Sequence, residues 1–124
     1  MIHIDYQDKR PIYEQVVERI QTLIVKGIFA ENMKLPSVRN LAVELSINPN
    51  TIQRAYQELE SNGFIYTVKG RGNFVSGKDK YMDTEKKSAM EYLHKSIKQA
   101  KQLGISQSEV KDMVDKTFEE EGNK

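Results

Sequence analysis

The tightest constraint on this chain lies between Pro36 and Gly63, where two short amphipathic segments follow each other with almost nothing between them. Ser37 suits the N-cap of the first, because its hydroxyl can accept from an orphan amide of the opening turn. Val38, Leu41, Ala42 and Leu45 then recur at helical spacing. Asn48-Pro49 opens the second helix as an N-cap followed by a proline at the position where a missing N–H removes no bond. Ile52, Ala55, Tyr56 and Leu59 supply its inward stripe, and Asn62-Gly63 ends it. Only a tight turn near Ser46 and Ile47 separates the two. This is the sequence form of a helix-turn-helix, whose second helix projects its N-terminal residues into the major groove of DNA.

The flanks extend the pattern. From Pro11 to about Lys26, the spacing of Ile12, Val16, Ile20, Leu23 and Ile24 predicts an amphipathic helix, with Pro11 in its first turn and Gly27 at its end. The Ile2-His3-Ile4 alternation before it suits a short strand. After Gly63 the period changes: Phe64-Ile65-Tyr66-Thr67-Val68 is β-branched and aromatic, Lys69-Gly70-Arg71-Gly72 makes a turn, and Asn73-Phe74-Val75 returns. That predicts a β-hairpin with a basic tip. From Gly77 to Asp83 the composition turns polar, and Lys78-Asp79-Lys80 reads as a linker. Met90, Leu93, Ile97 and Ala100 then form one helical stripe. Ser106 with Glu109 makes a capping box for a second helix bearing Val110, Met113, Val114 and Phe118. Two such helices bury too little to fold alone, so a second copy of the chain is expected to cover Met90, Leu93, Ile97, Val110, Met113, Val114 and Phe118. The expected fold is mainly α with a small β-hairpin. A winged helix-turn-helix occupies residues 1–77, and a two-helix dimerisation hairpin occupies residues 78–124.

Composition narrows the function classes. With 124 residues, 38% hydrophobic and 30% charged, the chain has the make-up of a soluble globular protein with one modest core and an appendage. No apolar run reaches the roughly 18 to 20 residues of a bilayer span. Met1 to Arg10, carrying Asp5 and Asp8, lacks the order of a signal peptide, so a cytoplasmic protein without a membrane partner is expected. The absence of cysteine excludes disulfides, thiolate metal sites and cysteine nucleophiles. His3 and His94 lie far apart, and no phosphate-cradle or metal-spacing motif occurs. The expectation is therefore no enzyme, no catalytic residue, no metal and no cofactor. A net charge of +1 decides little, since nucleic acid responds to where cations cluster.

Three stretches in order carry a family resemblance: Lys34-Leu35-Pro36-Ser37-Val38-Arg39-Asn40-Leu41-Ala42, Asn50-Thr51-Ile52-Gln53-Arg54-Ala55-Tyr56 and Gly70-Arg71-Gly72-Asn73-Phe74-Val75. Together they resemble GntR-family transcription regulators, and the short two-helix tail is similar to that of the YtrA-type subfamily. The resemblance implies a dimeric bacterial repressor that controls a nearby operon, often one for an ABC transporter. Asn32 stands where the family often has glycine, and Pro49 and Gln53 stand where many relatives carry arginine. The relatives' base preferences therefore do not transfer.

The expected partner is double-stranded DNA carrying an inverted repeat, with the chain bound as a homodimer. Chemistry allows Arg39 a phosphate or guanine contact, and the resemblance assigns it one; a surface salt bridge with Glu44 is the alternative. Ser37 caps its helix first and meets phosphate second. Asn48, Pro49, Asn50, Thr51, Gln53 and Arg54 are what the recognition helix can present. Asn50 and Gln53 suit adenine edges, Thr51 a phosphate or thymine methyl, and Arg54 guanine or phosphate, while Asn48 is equally a cap. Tyr56 suits either packing or a phosphate. Lys69, Gly70, Arg71 and Gly72 would lie against the minor groove or flanking backbone. A winged helix that binds protein is the rival reading, which the basic wing and the Arg-bearing helix disfavour. A small-molecule effector is left open, its site confined to the tail or the dimer interface.

Overall fold

The computed structural model describes residues 2–122. Helix α1 (Ile12–Val25) starts one residue after Pro11, which serves as the N-cap with extended backbone (φ −53°, ψ 147°) and lies outside the helix. Its inward face buries Val16, Val17, Ile20 and Ile24. Gln15 is buried among them. Its side chain accepts from the Asp5 N–H (2.9 Å) and donates to the Asp5 and Arg10 carbonyls (3.0 and 3.4 Å). This tie corrects the strand expected at Ile2-His3-Ile4. The segment has no sheet partner; it is pinned through Asp5 while Ile2 and Ile4 rest against the core.

Helices α2 (Val38–Leu45) and α3 (Pro49–Ser61) form the helix-turn-helix. The Ser37 hydroxyl accepts from the Asn40 N–H (3.1 Å), and Asn48 Oδ1 accepts from the Asn50 N–H (2.8 Å) with Pro49 in the first turn. The turn between them is set by Ser46, which takes a left-handed φ of 56°. The Ser46 and Ile47 amides then donate back to Val43 and Ala42 (3.2 and 2.9 Å), satisfying the last carbonyls of α2. Gly63 (φ +83°) ends α3 in the same way, and the Phe64 N–H donates to Leu59 (2.9 Å). Leu41, Ile52, Ala55, Tyr56 and Leu59 meet α1 in the core.

Strands β1 (Ile65–Val68) and β2 (Gly72–Val75) form an antiparallel hairpin in the register Ile65 with Val75 and Val68 with Gly72. The Arg71 N–H donates to Val68 (2.9 Å), and Gly70 (φ +79°) supplies the left-handed third position of the turn, a conformation that disfavours any residue with a Cβ. Residues 32–35 run along the free edge of β2. The Asn32 and Leu35 amides donate to Val75 and Asn73 (both 2.8 Å), and the Val75 N–H donates to Met33 (2.9 Å). Three helices with this hairpin make a winged helix-turn-helix.

Helix α4 (Lys78–Gln102) begins at once after the wing, which corrects the linker expected at Lys78-Asp79-Lys80. The reason is Tyr81: its ring is buried and stacks on Phe64 with centroids 4.7 Å apart, drawing the first turns of α4 into the core. Packing divides the chain into two compact units, Met1–Glu85 and Lys86–Lys124. In the second unit Gly104 (φ +84°) ends α4, with the Ile105 N–H donating to Ala100 (3.0 Å). Helix α5 (Gln107–Gly122) follows, capped by Ser106 Oγ accepting from the Glu109 N–H (3.1 Å). Within this unit α4 and α5 approach each other closely at few points, so neither buries the other's apolar stripe.

Candidate nucleic-acid interface

The segment from Lys34 to Ser37 is the junction on which the proposed contacts converge. Its front half is hydrogen-bonded to the wing. Its back half carries the cap of α2 and receives a bond from α3, because the Tyr56 hydroxyl donates to the Pro36 carbonyl (2.7 Å). Tyr56 is only 3% exposed, and burial, with the Glu44 carboxylate adding to it, pushes its pKa well above the ordinary tyrosine value. Of the two roles considered for this tyrosine, packing is therefore the one it fills. Wing, α2 and α3 are thereby tied to one short hydrogen-bonded stretch.

Ser37, Arg39, Asn48, Pro49, Asn50, Gln53 and Arg54 are all exposed, and Thr51 is half-buried. No ion pair forms between Arg39 and Glu44; among the described residues the ion pairs are those of Arg10 with Asp8 and Glu18. Asn48 is committed to its cap through Oδ1. In the first turn of α2 the amides of Val38 and Arg39 have no carbonyl within the helix to meet, next to a side chain that carries a full positive charge. Backbone donors and a guanidinium together suit a phosphate.

The wing presents Lys69, Gly70 and Arg71 fully, with Gly72 half-buried. Its stem is held by Thr67 Oγ1 donating to Asn73 Oδ1 (2.8 Å) and by Tyr66, which stacks on Phe74 and donates to Asn32 Oδ1 (2.7 Å). Asn32 itself takes a left-handed φ of 69°, a geometry that asparagine tolerates.

Two residues here escaped sequence reasoning. Lys34 is exposed, bridges to Phe74 of β2 and passes over Gly72, so that a Cβ at that glycine would lie 3.1 Å from Lys34 Cε. It adds a third cation to the wing. Its signal was available only through the pairing of residues 32–35 with β2, a contact across some forty positions of sequence. Tyr13 of α1 is the other: the Arg54 guanidinium lies over its ring, 3.7 Å from the centroid.

The tail residues belong to the second unit. Met90, Leu93 and Ile97 on α4 and Met113, Val114 and Phe118 on α5 are exposed, from 41% at Ile97 to 74% at Phe118, and Val110 is half-buried. An open groove of about 770 Å³ between the two helices is lined by Ile97, Ile105, Val110 and Val114, with Lys101 and Lys111 contributing charge. No group of three or more metal-ligating side chains occurs among the described residues, and no helix there is long and apolar enough to cross a membrane.

Residues 12–75 match the family described as "Bacterial regulatory proteins, gntR family". The chain is 40% identical over 116 residues to the HTH-type transcriptional repressor YtrA of Bacillus subtilis, an overlap covering 92% of this chain and 89% of that one. A GntR family transcriptional regulator from Listeria monocytogenes superposes with a TM-score of 0.57 at 41% identity, covering 88% of this chain and 96% of that one. The DNA-binding domain of AraR, solved in complex with its operator ORX1, superposes with a TM-score of 0.55 at 30% identity, over 60% of this chain and 96% of that domain.

Proposed function

This chain belongs to the GntR family of bacterial regulatory proteins, and we propose that it is a dimeric repressor that reads an inverted-repeat operator and silences a nearby operon. The family consists of DNA-binding transcriptional regulators and not of enzymes, and that much holds for this chain. The observation that carries the finer reading is the run of exposed cations without carboxylate partners, Lys34, Arg39, Lys69 and Arg71, set around a capped polar helix.

In this mechanism Asn50 and Gln53 read base edges in the major groove, and Thr51 meets a phosphate or a thymine methyl. Arg39, Arg54 and the α2 amides engage the DNA beside them, with Ser37 holding the α2 turn in place. Asn48 and Pro49 set the start of the recognition helix against the backbone. Lys69, Gly70, Arg71 and Gly72 lay the wing on the flanking minor groove, whose negative potential favours cations. Residues 78–124 pair two chains through Met90, Leu93, Ile97, Val110, Met113, Val114 and Phe118; all but the half-buried Val110 are exposed in one copy, which supports this role. Two recognition helices then fall about 34 Å apart, one turn of duplex. Repression follows from occluding polymerase. Similarity to YtrA that runs through the tail as well as the DNA-binding unit favours the operon of an ABC transporter as the target, and an effector, where one acts, would enter at the tail or the dimer interface.

The test is fluorescence anisotropy of the full chain on a duplex from upstream of its own gene against a scrambled duplex, across a salt series. Selective binding that weakens steeply with salt and is lost in Arg39→Ala is expected. Equal weak binding to both duplexes would contradict it.

A further inference from the structure

We infer that Tyr13 is a positioning residue for DNA recognition: its ring holds Arg54 at the edge of α3, so that Arg54 grips a phosphate and does not read a base. The inference rests on α3 being the helix that enters the groove. Three observations lead to it.

The first is the stack itself, between residues on different helices: the Arg54 guanidinium carbon sits 3.7 Å from the Tyr13 ring centroid. Tyr13 is half-buried and packs against the core, so its ring is a fixed platform, with its hydroxyl donating to Glu14 (3.5 Å). The second is helical phase. At about 100° per residue, Asn50, Arg54 and Gln57 lie within about 30° of the direction opposite the buried stripe of Ile52, Ala55, Tyr56 and Leu59 and form the outward ridge of α3. Gln53 lies to one side of that ridge. Arg54 stands at the ridge's other margin, and it is the stack that draws its guanidinium off the ridge, toward α1. A helix roughly 10 to 12 Å across fills a major groove about 12 Å wide, so a side chain free to extend into the groove can reach base edges, whereas one held back against α1 meets the sugar–phosphate wall.

The third is what stacking leaves free. The donors of a guanidinium lie in its plane, whereas the ring covers only its face. No carboxylate pairs with Arg54 among the described residues. A side chain already held in one rotamer loses little conformational freedom on binding, and its in-plane N–H groups, left uncovered by the ring, are free to meet a phosphate. The tyrosine thus acts on DNA without touching it.

The experiment uses the full chain and a duplex recovered by selection from a random-sequence pool, together with its single-base variants, by anisotropy across a salt series. Arg54→Ala should weaken every duplex by the same factor and lower the log–log salt slope by about 0.9, one phosphate's share. Tyr13→Leu should weaken binding roughly two- to fivefold, should cost nothing further in the Arg54→Ala background, and should be rescued in Tyr13→Phe, which keeps the ring. Melting curves check the fold of each variant, and Tyr13→Met serves if the leucine variant unfolds. An Arg54→Ala loss concentrated at one base pair would overturn the assignment, as would Tyr13 and Arg54 losses that add in full. A wild-type chain that selects no duplex at all would instead sink the regulator reading, before any variant is made.

Discussion

Gly63 and Gly70 offer a matched pair in which the same substitution separates backbone strain from packing. Both take nearly the same left-handed φ, +83° and +79°. A Cβ added at Gly70 meets nothing within 4 Å. At Gly63 it would lie 2.8 Å from Thr84 Oγ1, 3.1 Å from the Lys80 carbonyl oxygen and 3.2 Å from Tyr81 Cα. Forcing alanine into this region costs about 1 to 2 kcal/mol, offset by about 0.5 to 1 kcal/mol from the reduced freedom of the unfolded chain. Gly70→Ala should therefore destabilise by about 1 kcal/mol. Gly63→Ala carries the same cost and adds overpacking of about 1 to 3 kcal/mol, because two of its neighbours are backbone atoms of α4 and cannot rotate aside. Moving α4 away would also loosen the Phe64–Tyr81 stack. The total is about 2 to 4 kcal/mol, a fall in melting temperature of roughly 10 to 25 °C for a unit of this size. Thermal unfolding followed by circular dichroism reads both variants. Equal losses would refute the reasoning, since the close approach of α4 to Gly63 would then carry no energy.

Other perturbations test separate parts of the account. Lys34→Ala should lower the salt slope of DNA binding by about 0.9 without altering which duplex is preferred; an altered base preference would contradict a backbone role. Tyr56 has its pKa raised in the folded state, so its contribution to stability is fully present below the unfolded tyrosine value near 10 and declines as pH rises beyond it. Urea melts between pH 8 and 11 should show that decline, and Tyr56→Phe should flatten it while costing about 1 to 3 kcal/mol through the orphaned Pro36 carbonyl. Phe118→Asp and Met113→Asp put carboxylates on exposed tail positions. They should leave helix content unchanged yet shift the chain to monomer in sedimentation velocity, and a dimer that persists would remove these residues from the interface.

What was legible in the sequence was local. Ser37, Asn48-Pro49, Gly63 and Ser106 declare helix ends because a side chain or a glycine acts on backbone a few residues away. The wing was legible for the same reason, its basic turn lying between two β-branched runs. The misses were contacts at long range. Asn32-Met33-Lys34-Leu35 alternates polar and apolar residues, but over only four positions and with nothing local to name its partner, so its pairing with β2, and with it the role of Lys34, went unread. The Tyr13–Arg54 stack joins residues forty-one positions apart, each of which has an ordinary reading alone. At Lys78-Asp79-Lys80 the charges suggested a linker, while the one aromatic that decides the matter, Tyr81, found its partner in Phe64. Ile2 and Ile4 alternated as a strand does, but the segment is held through Asp5 by the Gln15 side chain of α1, a contact ten residues away that the alternation does not reveal. The candidate contacts on α2, α3 and the wing were reachable because each sits on an element that announces itself.

The most direct test of the central claim is a hydroxyl-radical footprint of the full chain on the DNA upstream of its own gene. The account predicts two protected patches related by dyad symmetry and centred about 34 Å, one helical turn, apart, both lost in Arg39→Ala. A single patch would contradict the dimeric reading, and an unprotected duplex at concentrations that saturate binding would contradict sequence-specific recognition altogether.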